Sequence, residues 1–158
     1  MAQTTAAESG SNYKIEVSYD GVSWTDISGV SNNVEPSGGE QQIGTQFTAA
    51  GDVPVVVNSN KNDAIKVKCS ILYTETSGEG FDKVYSRYVG TTKTIYFRYS
   101  PRGGTTGQKR YVASNAANSA IAVPIESCLP PKTDAGSGDP LMAEFTIVTP
   151  KLYQEAVP

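Results

Sequence analysis

Apolar and polar residues alternate with a period of two along four stretches, and this pattern limits the chain's fold more than any other feature. Tyr13, Ile15, Val17 and Tyr19 share one face, with Lys14, Glu16 and Ser18 on the other. Residues 65–73 repeat the pattern through Ile65, Val67, Cys69, Ile71 and Tyr73. Ile95, Phe97 and Tyr99 alternate with Thr94, Tyr96 and Arg98, and Leu141, Ala143, Phe145 and Ile147 stay in phase near the end. Segments of this kind bury one face each, so the chain must build β layers around a shared core. Shorter strands are predicted at 41–48, 53–57, 108–114 and 119–127. Asp20-Gly21 marks a two-residue hairpin turn, because glycine tolerates the positive φ such a turn needs. That turn would set Val22 opposite Tyr19 and Trp24 opposite Val17.

One segment breaks the β pattern. Phe81, Val84, Tyr85, Tyr88 and Val89 recur at helical spacing as a single apolar stripe. Thr76 with Glu79 has the spacing of a capping box, and Gly90 ends the run. So short a helix needs a sheet to pack on. The fold class expected is mainly β, with two packed antiparallel sheets in a sandwich or barrel and one flanking α-helix at about 80–89. Its core would include Val17, Trp24, Cys69, Phe81, Tyr85, Phe97 and Phe145. Residues 1–12 are small and polar and read as a flexible arm. Residues 13–149 form one domain, and 150–158 form a C-terminal tail after Pro150.

Chemistry is sparse. There is no histidine, and the cysteines Cys69 and Cys128 have no metal-binding spacing. No catalytic group, metal or other cofactor is expected, and the chain does not read as an enzyme. The segment 103–110 (GGTTGQKR) lacks the spacing of a phosphate-binding loop. The N-terminus has no charged and apolar leader pattern, and no apolar run approaches a membrane span, so the chain is expected to stay soluble in the cytoplasm.

Tyr96–Gly104 (YFRYSPRGG) raises the question of nucleic-acid binding, since rings alternate with Arg98 and an Arg-Gly-Gly follows. The net charge of −3 argues against a phosphate clamp, and the alternation of rings is what a strand produces. Charge is distributed by segment: residues 1–60 carry one base and seven acids, 61–110 ten bases and four acids, and 111–158 two bases and five acids. Either this is scatter over a folded surface, or acidic and basic faces of neighbouring copies meet. In the second case Arg98, Arg102, Lys109 and Arg110 are the candidate inter-subunit contacts.

Several segments taken in order (YDGVSWTDISG, EPSGGEQQIGTQFTAAGDVPVVV, YTETSGEGFDKVYSRYVG, IYFRYSPRGG and SGDPLMAEFTIVTPKL) resemble the major tail tube proteins of long non-contractile bacteriophage tails. The similarity spans about residues 13–152 and rests on order and spacing. It implies the fold shared with the inner tubes of contractile injection systems: two sheets packed nearly orthogonally, with one helix. It further implies a structural virion protein that stacks as hexameric rings into the tail tube, through which DNA passes without specific binding. Implied partners are further copies of the chain, a tape-measure protein, and tail terminator and baseplate proteins. Assembly would take place in the host cytoplasm, and the product would reside in the virion tail. Segments 1–12, 29–62 and 150–158 match, by position, the family's ring-bridging arms and loop. The alternative is a carbohydrate- or surface-binding β-sandwich, such as a virion decoration module, with Trp24, Tyr96 and Tyr111 as stacking residues.

Overall fold

The computed structural model describes residue 4 and residues 6–158. Of the expected arm, Met1, Ala2, Gln3 and Thr5 lie outside the described residues. Eleven strands and one α-helix follow in chain order: β1 (Lys14–Ser18), β2 (Trp24–Asp26), β3 (Ser31–Gly38), β4 (Gln41–Gln46), β5 (Val55–Asn62), β6 (Ile65–Leu72), α1 (Gly80–Val89), β7 (Thr94–Ser100), β8 (Lys109–Ser114), β9 (Val123–Leu129), β10 (Met142–Thr149) and β11 (Lys151–Ala156). The protein is mainly β, with one large antiparallel sheet, a small second sheet and a single helix among the described residues.

The large sheet has nine strands in the order β11-β8-β7-β9-β10-β6-β3, with β1 and β2 added on β7. It folds over itself at β7, whose C-terminal half pairs with β8 through Arg98 and Tyr99. The N-terminal end of β7 pairs with β9 only at Thr94 opposite Pro124 and Ile95 opposite Val123. The two expected layers are therefore one continuous sheet, because β7 is long enough to serve both halves. One half is β2-β1-β7-β8-β11 and the other is β9-β10-β6-β3. Ile15, Val17, Ile95 and Phe97 from the first half meet Val67, Cys69, Ile71, Phe145 and Ile147 from the second in one buried cluster. At about 25 cal/mol per Å² of apolar surface removed from water, this cluster is the main source of stability.

Helix α1 closes the core with Phe81 and Val84 buried. Its start differs from the expected capping box. The Thr76 carbonyl accepts from the Glu79 N–H at 3.3 Å, while the Asp82 carboxylate accepts from the Gly78 N–H at 2.7 Å and supplies the negative charge near the helix N-terminus. A Cβ on Gly80 would lie 2.7 Å from the Val30 side chain, so glycine lets the helix sit against the segment just before β3. Tyr85 is half-buried and stacks on Phe81 at 5.1 Å between centroids. Its truncation to alanine is accordingly expected to cost about 1–3 kcal/mol, less than the 3–5 of a fully buried aromatic ring. A thermal midpoint equal to wild type in Tyr85→Ala would show that the ring contributes no packing. Val89, at the end of the stripe, is 58% exposed.

Trp24 is not in the core. The hairpin has a wider loop than Asp20-Gly21 suggested, running over residues 19–23 between β1 and β2. The Asp20 carboxylate holds this loop by accepting from the Val22 and Ser23 N–H groups, both at 2.8 Å. Trp24 thus pairs with Ser18, and Thr25 with Val17. A one-residue change of register moves a side chain to the opposite face, so Trp24 points away from Val17. Tyr19 leaves the core face too: its hydroxyl donates to the Lys83 carbonyl at 2.7 Å, and the Arg87 guanidinium lies 4.2 Å from its ring centre.

Residues beyond Pro150, expected to be a tail, form β11, paired along its length with β8. No helix among the described residues is long and apolar enough to cross a membrane.

Candidate functional site

The small sheet, β4 with β5, extends the β3–β6 hairpin. Gly38 lies opposite Ile65, the Asp63 N–H donates to the Glu40 carbonyl at 2.9 Å, and Gln41 lies opposite Asn62. The ribbon changes direction at Gly38 and Gly39, both with positive φ. A Cβ there would lie 2.6 Å from the Ala64 carbonyl oxygen or 2.9 Å from the Ile65 side chain. Only glycine fits both positions.

Past this bend every residue of β4 and β5 is exposed. Val55 and Val57 sit with Gln46 and Gly44 on one face, and Val56 sits with Thr45 on the other, beside Ile43 and Asn58. The three valines are 51%, 59% and 62% exposed in the order Val55, Val57, Val56, and Phe47 and Val53 at the tip are 63% and 74% exposed. An isolated two-stranded ribbon is marginal in water, and apolar residues on both faces leave it without a covered side. The geometry suits insertion between other protein surfaces. The run of valines was readable in the sequence as a strand, but its exposure depends on the bend at Gly38-Gly39.

The four candidate contact cations are not gathered into one site. Arg98 donates from Nε to Glu16 at 2.7 Å, with its guanidinium 3.9 Å from the Trp24 ring centre. Lys14 lies 3.1 Å from the same carboxylate. Arg110 pairs with Glu155 at 2.6 Å on the same outward face of the sheet. Arg102 reaches back to Glu8 in the N-terminal segment at 2.8 Å. Arg98, Arg102 and Arg110 each meet a carboxylate of their own chain, and Arg102 stays about half exposed. Lys109 is exposed and forms no ion pair among the described residues. Its side chain belongs to the opposite face of β8 from Arg110.

The Tyr96–Gly104 stretch is consequently no open nucleic-acid grip, since its first arginine is held by Glu16 and Trp24. Nor do the three candidate sugar-stacking rings form a platform. Trp24 is covered by Arg98 and edge-on to Tyr96 at 6.5 Å, while Tyr111 stacks on Tyr99 at 5.4 Å. Among the described residues no group of three or more potential ligands is placed to hold a metal. Cys69 and Cys128 are buried, and burial raises both thiols, Cys128 to about 11.

Glu16 supplies a pH-dependent element. Burial alone would raise its pKa, but hydrogen bonds and charge from Arg98 and Lys14 outweigh it and hold the carboxyl below 4.5. A depressed folded-state pKa stabilises the protein above the unfolded value, and the contribution is lost as pH falls through the folded one. Thermal midpoints of wild type should fall below about pH 4.5 more steeply than those of Glu16→Gln. Parallel curves would show that this carboxylate does not contribute to the acid response.

No family model and no curated protein matches the sequence. The fold does match solved structures over nearly the whole chain. A chain of the sheath–tube complex of an extracellular contractile injection system (PVC), in its extended state, superposes with a TM-score of 0.64 at 17% identity, over 97% of this chain and 94% of that one. A chain of the anti-feeding prophage baseplate, 6-fold symmetrised, gives 0.59 at 9% identity over 99% of both chains. A chain from the tail of an empty GTA particle, refined with C6 symmetry, gives 0.52 at 11% identity over 96% and 100%. The protein thus has a fold found in the tubes and tails of phage-like particles.

Proposed function

We propose that the chain is a structural subunit of the tail tube of a bacteriophage, stacking as hexameric rings into a channel for DNA delivery. The β4–β5 ribbon carries this reading: it is apolar on both faces, touches little of its own domain, and becomes buried once a neighbouring copy receives it. The outer edges of β3 and β11, which no strand among the described residues pairs, offer backbone groups to neighbours within a ring. The sequence resemblance over residues 13–152 favours a long non-contractile tail, and the full-length fold match supports the tube role in general. In this reading the chain is a building block with no catalytic function. It works with further copies of itself, a tape-measure protein, a terminator and a baseplate, and it resides in the virion tail after assembly in the host cytoplasm.

Negative-stain electron microscopy of the concentrated protein, with and without an initiating baseplate fraction, tests it. Long hollow tubes with six-fold end views are expected. Monomers at every concentration and salt condition, with the initiator present, would overturn the proposal.

A further inference from the structure

The two halves of the large sheet present different outward faces. The β2-β1-β7-β8-β11 face carries the rings of Trp24, Tyr96 and Tyr153, with Arg98 and Arg110 among them. The β3-β6-β10-β9 face carries no aromatic side chain. Across its strands lie Asn33, Ser37, Ser70 and Thr146, with Lys66 and Lys68 on β6, Glu35 on β3, Glu144 on β10 and Glu126 on β9. Each β6 lysine has a carboxylate. Lys68 pairs with Glu144 at 3.1 Å and has Glu35 as its register partner on β3. Lys66 lies across β10 to reach Glu126, two strands away. Lys132, in the loop after β9, lines the same end of the face as Glu144. Three carboxylates therefore balance three lysines, and Lys66, Lys68 and Glu144 remain about half exposed, at 52%, 46% and 53%.

Cationic contact with phosphates retains nucleic acid of either kind without sequence preference, and stacking of bases on aromatic rings adds to it for single strands. This face offers no ring, and it pairs both lysines of β6. We infer that the β3-β6-β10-β9 face is the bore wall, and that Glu126 and Glu144 keep Lys66 and Lys68 from gripping the DNA that passes. The inference rests on the tube reading above and adds to it which strands face the channel. Ring symmetry repeats the wall's charge at every level of the tube, so a small imbalance per subunit becomes a large one. Replacing Glu126 and Glu144 by glutamine leaves Glu35 alone against three lysines.

Two measurements on assembled tubes test this. The first is sedimentation of a short labelled single-stranded oligonucleotide with open-ended tubes at low salt. Wild-type tubes should retain little. The Glu126→Gln/Glu144→Gln variant should retain at least roughly tenfold more, with the excess abolished by salt, because lost counterion-releasing contacts scale that way. Adding Lys66→Gln and Lys68→Gln should return retention to the wild-type level. Equal retention by wild type and the double variant would overturn the charge-masking role. The second measurement is labelling of Thr146→Cys, for which the buried Cys69 and Cys128 give a low background. A polymer-linked maleimide too large for the bore should label the free subunit and spare the tube. Labelling of tube and subunit at the same rate would place this face outside and overturn the assignment. Failure of the wild-type chain to form tubes would instead overturn the tube reading itself, and the wall assignment with it.

Discussion

Phe145→Ala is expected to cost about 3–5 kcal/mol and to lower the thermal midpoint of the free subunit by roughly 10 °C or more. Phe145 is completely buried at the centre of β10. Its register partners are Cys69 on β6 and Cys128 on β9, both small and both in strands fixed by ladders on either side. The space left by the ring cannot be filled by these short side chains, and β10 cannot move inward without breaking its ladders with β6 and β9. The cavity term therefore adds to the transfer term. Against a total stability of about 5–15 kcal/mol, such a loss leaves little reserve. Differential scanning calorimetry on wild type and variant, below any concentration that assembles, is the measurement. A shift of less than about 3 °C would mean that the core is centred elsewhere. A Phe145→Leu variant should lose clearly less, since it retains most of the buried volume.

The position of Phe145 was legible in the sequence, as were Val17, Cys69 and Phe97, because each lies in a strand with one wet and one dry face. The strands that escaped sequence reading are those with little to bury. β3 (SNNVEPSG) has Val34 as its one half-buried apolar residue, and its Pro36 argues against a central strand. As an edge strand it can accommodate a proline, because one row of its backbone groups is unpaired. β11 (KLYQEA) is likewise an edge, with only Leu152 and Tyr153 as large apolar residues. Trp24 was misplaced for another reason: alternation gives the face only once the register is known, and the Asp20 loop set that register. The Glu16–Arg98 pair joins residues 82 positions apart. Its existence depends on the β1–β7 register, for which no local signal exists. The exposed ribbon is the same kind of case, since its valines look like core until Gly38 and Gly39 turn them away from it.

If the chain assembles as proposed, replacing residues 41–62 with a short glycine-containing turn between Glu40 and Asp63 is expected to abolish tube formation while leaving the subunit folded. The two flanking residues are already hydrogen-bonded to each other, so a turn can close there without disturbing β3 or β6. No residue of the removed segment belongs to the buried core cluster, and the thermal midpoint of the shortened subunit should stay within a few degrees of wild type. Assembly is different. Ile43, Phe47, Val53, Val55, Val56 and Val57 are all large, apolar and more than half exposed. Fully burying such side chains contributes about 1.5–3 kcal/mol each, so even partial cover by neighbours gives several kcal/mol per subunit. Losing that should raise the critical concentration by a factor on the order of 10³, since each 1.4 kcal/mol corresponds to a factor of ten. Single changes dissect the two faces. Val57→Asp and Val56→Asp lie on opposite sides of the ribbon, and each should raise the critical concentration at least tenfold, because a charge would be buried without a partner. If only one of them does, the ribbon is covered on one side and its other valines remain wet. Sedimentation velocity and electron microscopy across a concentration series read both outcomes. Wild-type tubes from the shortened chain would show that the ribbon is dispensable and that the sheet edges alone drive assembly.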